Sequence, residues 1–231
     1  MNQSPNQLAS FENDGFALLR AAVSTEQIDE LTECIEAARE SKTAPGMRNL
    51  LNRCSAVRNF AAFGMASMIA REILGVEPLP VRAILFDKTP ISNWYVTWHQ
   101  DLSIPVKAKM ELPGYTSWSE KEGVTHVQPP AEILERMVSL RIHLDACGES
   151  NGPIKFIATS HLSGVLAPDD IARWRDAHPQ VICAAQCGDV IAMRPLILHS
   201  SSIAETPEHR RVLHLEYAGI ELPPGLDWAE A

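Results

Sequence analysis

The sequence predicts a mainly β protein, a sandwich or jelly roll, with a few helices packed against one of its sheets. Two observations carry this. The pattern changes from helical to strand-like spacing near residue 78, and beyond it seven short β-type runs follow, divided by turn signals. With 231 residues, 45% of them hydrophobic, the chain can bury one sizeable core. Residues 1–231 therefore read as a single domain, with 1–78 as helical support and 79–220 as the β core.

In chain order, residues 15–20 read as a short strand. A helix follows: Ser24 with Gln27 fits a capping box, and Ile28, Leu31 and Ile35 recur at helical spacing. A loop is expected around Pro45-Gly46, then a second helix over 60–74, stopped by Gly75. The β-type runs cover 81–87, 94–101, 138–146, 154–159, 181–186, 190–198 and 212–217. Ser150-Asn151-Gly152-Pro153, Gly188-Asp189 and the corner Glu205-Thr206-Pro207-Glu208 mark turns, and a minor helix is expected over 169–176. Residues 102–131, rich in Pro and Gly, fit no strand and read as a long irregular loop, a lid that brings Trp118 and His126 to a substrate.

Composition excludes several classes. Lys+Arg 20 against Asp+Glu 29 gives a formal charge of −9, which argues against a nucleic-acid partner. No apolar run reaches the ~18 residues of a membrane span, and the first residues lack a signal-peptide pattern. Five cysteines, odd in number and without a C-x-x-C, read as free thiols of a cytoplasmic protein.

The chemistry centres on Trp98-His99-Gln100-Asp101. On a strand, His99 and Asp101 share a face, and together they make two thirds of a 2-His-1-carboxylate iron site. His199, at the end of the run 190–198, is the natural third ligand. Eleven residues on, Arg210 opens the next strand, and a hairpin would return it beside His199, where a guanidinium grips a carboxylate bidentately. Ser201 adds a hydroxyl on the same face, and Arg211 should face the other way. A second H-x-D, His143-Leu144-Asp145, has equal spacing, and spacing alone does not choose between the two.

Several linked segments resemble the phytanoyl-CoA dioxygenase-like family of iron(II)/2-oxoglutarate oxygenases. They are Leu85-Phe86-Asp87-Lys88-Thr89-Pro90, Trp98-His99-Gln100-Asp101-Leu102, Glu149-Ser150-Asn151-Gly152-Pro153-Ile154 with Ser160-His161, Gly188-Asp189-Val190, and Leu198-His199-Ser200-Ser201 with Arg210. The resemblance spans about residues 80–218. It implies a cupin-like double-stranded β-helix holding Fe(II), with 2-oxoglutarate and O2 as cosubstrates. His99, Asp101 and His199 would be the iron ligands and Arg210 the anchor for the distal carboxylate of 2-oxoglutarate. The 99/101 pair is thereby preferred, and His143 falls on the family's pocket-lining strand. Gln100, Ser201, Arg141 and Lys88 match or approach positions near the cosubstrate, with Trp98, Trp118, His126 and His143 toward the substrate.

Related halogenating members have a small residue where this chain has Asp101, so hydroxylation or desaturation is expected. No clustered basic segment resembles a coenzyme A phosphate site, and a small organic metabolite is the expected substrate. Among other histidines, His161 reads as structural, His178 and His209 as solvated, and His214 as a pocket candidate beside Glu216. The rival reading is a cupin-like metalloenzyme, an isomerase or substrate dioxygenase without 2-oxoglutarate, in which Arg210 pairs with Glu216 or Glu205.

Overall fold

The computed structural model describes residues 7–41, 44–206 and 209–231. Helix α1 (Phe11–Asp14) leads into β1 (Phe16–Leu19), and α2 (Thr25–Ala37) follows. Ser24 and Gln27 form the capping box, each side chain accepting the other's backbone N–H, while Ile28, Leu31 and Ile35 are buried. Where a loop is expected, β2 (Gly46–Met47) pairs with a later strand. Next come α3 (Leu50–Arg53), α4 (Ser55–Phe63) and α5 (Met65–Leu74). The single helix expected over 60–74 is thus two, broken at Gly64. A Cβ there would sit 2.7 Å from the Phe60 carbonyl oxygen, so glycine alone fits the turn.

The β region contains β3 (Leu79–Lys88), β4 (Val96–His99), β5 (Ile104–Val106), β6 (Thr116–Lys121) and β7 (Val124–Gln128). Helix α6 (Ala131–Glu135) precedes β8 (Met137–His143) and β9 (Ile154–Ile157). Helix α7 (Pro168–Ala177) precedes β10 (Val181–Cys183), β11 (Val190–Met193), β12 (Leu198–Ser201) and β13 (Arg210–Ala218). Six strands run in the order β1-β11-β8-β13-β3-β2, four in the order β10-β9-β12-β4, and three in the order β5-β7-β6. All their pairings are antiparallel.

Strand alternation divides the six-stranded sheet into two faces. Ala83 and Leu85 of β3 and Leu213 and Leu215 of β13 join Leu140 and Ile142 in a core shared with Ile28, Leu31, Val57 and Ile69 of the helices. The helices therefore cover one face of one sheet, as the pattern predicts. On the opposite face, Ile191 and Met193 of β11 pack with Ile154 and Phe156 of β9, tying the larger sheet to the four-stranded one.

Three expectations are corrected. The run 190–198 is not one strand: Pro195 lies between β11 and β12, which belong to different sheets. Residues 102–131 are not an irregular loop but hold the three-stranded sheet, with Pro105 on the edge strand β5, where its missing N–H costs no ladder bond. Ile104, Val106 and Val127 of that sheet have their own core with Trp228. The cysteines are not all free: Cys34 of α2 and Cys54, just before α4, form a disulfide with Cα atoms 5.9 Å apart, while Cys147, Cys183 and Cys187 remain thiols. The first six residues and Pro207-Glu208 of the expected corner lie outside the described residues. Among those described, no helix is long and apolar enough to cross a membrane.

The Gly188-Asp189 turn is fastened to β1 by one carboxylate. Asp189 is buried and accepts from Ala21 N and Gln186 N, both at 2.8 Å, and from the Arg20 guanidinium at 2.7 Å. Arg20 is largely exposed, so the two backbone donors carry most of the effect. Asp189→Ala should cost about 2–3 kcal/mol in urea unfolding, and a loss below about 0.5 kcal/mol would contradict this account.

Candidate metal centre and anion cavity

Strands β4 and β12 pair with His199 opposite His99, and their ring centroids are 4.1 Å apart. The register shifts by one residue before Ser201 meets Val96. This bulge puts Val96 and His99 on the same cavity despite their odd spacing. Asp101 lies just past β4, its backbone N–H donating to Pro195 O at 2.9 Å. Its Oδ1 is 3.6 Å from His99 Nε2 and its Oδ2 3.6 Å from His199 Nε2. One donor atom from each residue lies within 4.8 Å of the others, a group that could hold a metal ion.

Both rings are oriented from behind. His99 Nδ1–H donates to the Thr97 carbonyl at 2.8 Å, and His199 Nδ1–H to the Ile197 carbonyl at 3.0 Å. Each Nε2 therefore keeps its lone pair toward Asp101, the arrangement typical of metal-ligating imidazoles. Burial brings His199 down to about 4, so it is neutral at physiological pH. Burial also pulls on His99, but Asp101 outweighs it and the shift is upward. Burial works against the Asp101 charge, yet His199, His99 and His214 hold its carboxyl well below the usual range. Two imidazoles and one carboxylate suit a divalent ion such as iron(II) and leave coordination positions open.

The facing wall is the inner side of the six-stranded sheet. Register pairs Arg210 with Lys88, His214 with both Ile84 and Arg141, and Glu216 with Arg82. Together with the triad these side chains line a cavity of about 220 Å³. Arg210 does not return in a hairpin, because β12 and β13 lie in different sheets. It reaches the cavity from the opposite wall, 4% exposed. Its Nη1 donates to Gly152 O and to Asn151 O, the latter at 3.3 Å. Its Nε has no partner, and no carboxylate pairs with it among the described residues, neither Glu216 nor Glu205.

Lys88, 1% exposed, donates to Ser201 Oγ at 3.2 Å and Ser202 O at 3.0 Å, with its ammonium 5.2 Å from the Trp94 ring centre. Burial, then the Arg210 charge, brings its pKa down to about 8. The same two causes bring Arg141 down to about 10. Arg141 donates to His214 Nδ1 at 3.5 Å, so His214 carries its proton on Nε2 and donates to Glu216 Oε1 at 3.2 Å. Glu216 Oε2 in turn accepts from Arg82 Nε at 3.0 Å.

Of the residues singled out from sequence, His99, Asp101, His199, Arg210, Ser201, Lys88, Arg141 and His214 line this cavity. Gln100 does not: it is buried, donating to Gly164 O and Leu196 O and accepting from Leu166 N, which braces the segment carrying Asp101. Trp98 is also absent, because as the neighbour of His99 it projects to the other face; Trp94 and Phe86 line the cavity instead. Trp118 packs toward the core beneath the three-stranded sheet, and His126 is buried with Nδ1 2.9 Å from Val124 O. His143 is buried too, neither ring nitrogen has a partner, and burial takes its pKa to about 3. His161 holds Glu12 O at 3.2 Å, and His209 meets Asp87 Oδ2 at 3.2 Å rather than solvent alone. Arg82, Arg48, Lys121 and Ser103 were not anticipated. Stepping back by twos from Lys88 through Phe86 and Ile84 would have reached Arg82.

The model of the phytanoyl-CoA dioxygenase (PhyH) family matches residues 11–212. No curated protein sequence matches. Solved structures with similar folds include AviO1 from Streptomyces viridochromogenes Tue57, at 20% identity and TM-score 0.70, covering 97% of this chain and 99% of that one. EctD from S. alaskensis in its apoform has 20% identity and TM-score 0.72, with 98% and 84% covered. SnoK, described as a non-heme alpha ketoglutarate dependent carbocyclase from nogalamycin biosynthesis, has 14% identity and TM-score 0.69, with 94% and 84% covered.

Equilibrium dialysis with ferrous ion under nitrogen should give one bound ion per chain. His199→Ala and Asp101→Ala should each weaken binding by more than about a hundredfold, beyond the loss typical of outer-shell changes. Unchanged affinity in either variant would remove that residue from the metal site.

Proposed function

Because the chain belongs to the phytanoyl-CoA dioxygenase family, we propose that it is an Fe(II)/2-oxoglutarate-dependent oxygenase that hydroxylates or desaturates a C–H bond of a small organic metabolite. The observation that carries this is the buried, carboxylate-free Arg210 facing a His-Asp-His group across one cavity. EctD from S. alaskensis has been solved with bound Fe and with 2-oxoglutarate and 5-hydroxyectoine.

The strand order supports a double-stranded β-helix. Counting only β3, β4 and β8–β13 as first to eighth, the first pairs with the eighth, second with seventh, third with sixth and fourth with fifth. That is the order of one long hairpin rolled into two facing sheets. We read the sheet of β5, β6 and β7 as a cover, since Lys121 at its hairpin and Ser103 just before it reach the cavity.

His99, Asp101 and His199 would hold iron, which with 2-oxoglutarate and dioxygen supplies oxidative decarboxylation to succinate and carbon dioxide coupled to C–H oxidation. The chain's own residues do the rest. Thr97 O and Ile197 O keep both imidazoles in one tautomer. Arg210, with its unpartnered Nε, receives the distal carboxylate of the cosubstrate, and Lys88 and Ser201 stand beside it. The guanidinium of Arg141 is held against His214 on the wall of the same cavity. Trp94, Phe86 and Ile84 give the cavity its apolar surface and restrict water. Asp101 fills a ligand position, which favours hydroxylation or desaturation over halogenation. The rival reading without 2-oxoglutarate needs an Arg210 ion pair with Glu216 or Glu205, and neither forms.

Anaerobic addition of 2-oxoglutarate to the ferrous protein should produce a visible charge-transfer band. Arg210→Ala should raise the half-saturating concentration by about thirtyfold or more, the range for removing a buried charge partner. Absence of the band, or unchanged half-saturation in the variant, would defeat the reading. The same titration should depend on pH. A dicarboxylate favours protonated Lys88, whose pKa is lowered to about 8, so affinity is full below that value and falls as pH rises through it. Lys88→Arg should flatten this slope between about pH 7 and 9; a flat wild-type profile would place Lys88 away from the carboxylate.

A further inference from the structure

Six cationic side chains line the cavity, Arg48, Arg82, Lys88, Lys121, Arg141 and Arg210, against two carboxylates, Asp101 and Glu216. In a chain of net charge −9 this is a strong local inversion. Five of the cations form two groups, and Arg141 lies beside His214 between them. Lys88 and Arg210 face each other at one end of the β3–β13 ladder, and Arg82 lies opposite Glu216 six residues along β13. At ~3.3 Å per residue the two ends are about 20 Å apart. His214, between them, lines the same cavity as the triad. Lys88 bonds Ser201, two residues past His199, and Arg82 bonds Ser103, two residues past Asp101, so the triad lies between the two cationic groups.

The group around Arg82 is assembled from three separate segments. Arg82 Nη2 donates to Ser103 O at 2.5 Å, and Lys121 Nζ to Ser103 Oγ at 3.5 Å. Arg48 follows β2 and pairs with the exposed Glu122 at 3.2 Å, a surface contact worth little. Glu216 is divided between Arg82 and His214, so it does not neutralise the group. No carboxylate pairs with Lys121 among the described residues. Burial, then Arg82 and Arg48, lowers the Lys121 pKa, and the opposing pull of Asp101 and Glu216 does not offset them.

Resting on the oxygenase reading, we propose that the substrate carries an anionic group, a carboxylate or a phosphate, that docks on Arg48, Arg82 and Lys121 at the end of the cavity away from Arg210. The two acidic partners then occupy opposite ends, the cosubstrate on Arg210 and the substrate on this second group, and the C–H to be oxidised lies between them near the triad. With a neutral substrate the three cations keep only Glu216, shared with His214, and the exposed Glu122, and Lys121 pairs with neither; an anion satisfies all three together. Negative charge on the substrate also speeds its approach through the field of the cavity.

The test uses inorganic phosphate and acetate as probes, titrated by calorimetry into ferrous protein freed of excess iron and saturated with 2-oxoglutarate under nitrogen. One saturable site is expected for at least one probe, weakened about tenfold in the double variant Arg48→Gln/Lys121→Gln and screened by salt. Tighter phosphate than acetate identifies a phosphate ester, and the reverse a carboxylic acid. No saturable binding of either probe, or equal binding in wild type and double variant, overturns the proposal. The charge-transfer band, recorded on the same samples, separates the two readings. Binding without the band counts against the oxygenase alone, and the band without binding counts against the anion subsite alone.

Discussion

A slip of one residue between β4 and β12 would turn His99 or His199 out of the cavity, because neighbouring strand residues face opposite ways. The candidate metal centre depends on that register. Opposed at one rung, the two imidazoles converge, and the segment after β4, held by Asp101 N–H on Pro195 O and by buried Gln100, can bring only Asp101 into the gap between them. The bulge ahead of this rung is part of the same constraint, since it lets β4 present both Val96 and His99 inward while Trp98 turns away.

The opposite sheet supplies the charge. Its helix-facing side is apolar apart from Asp87 and Arg211 at one end, and the alternation that buries Leu213 and Leu215 there sends His214 and Glu216 the other way. The same alternation on β3 aims Arg82, Ile84, Phe86 and Lys88 at the triad. Cations kept this far from water and from carboxylates cost free energy, visible as the depressed pKa values of Lys88 and Arg141. That cost is consistent with a cavity that completes its electrostatics by binding anions.

Much of this was legible in the sequence, for local reasons. The capping box and the 3.6-residue spacing of Ile28, Leu31 and Ile35 set α2, and the i, i+2 rule put His99 and Asp101 together. What was not legible depends on distant pairing. Hairpin logic put Arg210 beside His199, whereas the chain crosses between sheets after β12 and delivers Arg210 from the far wall. The break at Gly64 follows from contact with Phe60, and the Cys34–Cys54 bond from the packing of two helical segments, neither of which a spacing reveals. Pro105 and its neighbours resemble loop residues until one knows that β5 is an edge strand. Arg48, Arg82 and Lys121 come from three separate segments, so no local motif contains them.

The most direct measurement is an anaerobic crystal structure of the protein with ferrous iron and 2-oxoglutarate. The account predicts one ion held by His99 Nε2, His199 Nε2 and an Asp101 oxygen, chelated by the cosubstrate, whose far carboxylate meets Arg210. An ion bound elsewhere, or a cosubstrate carboxylate turned toward Arg82 with Arg210 left empty, would contradict it.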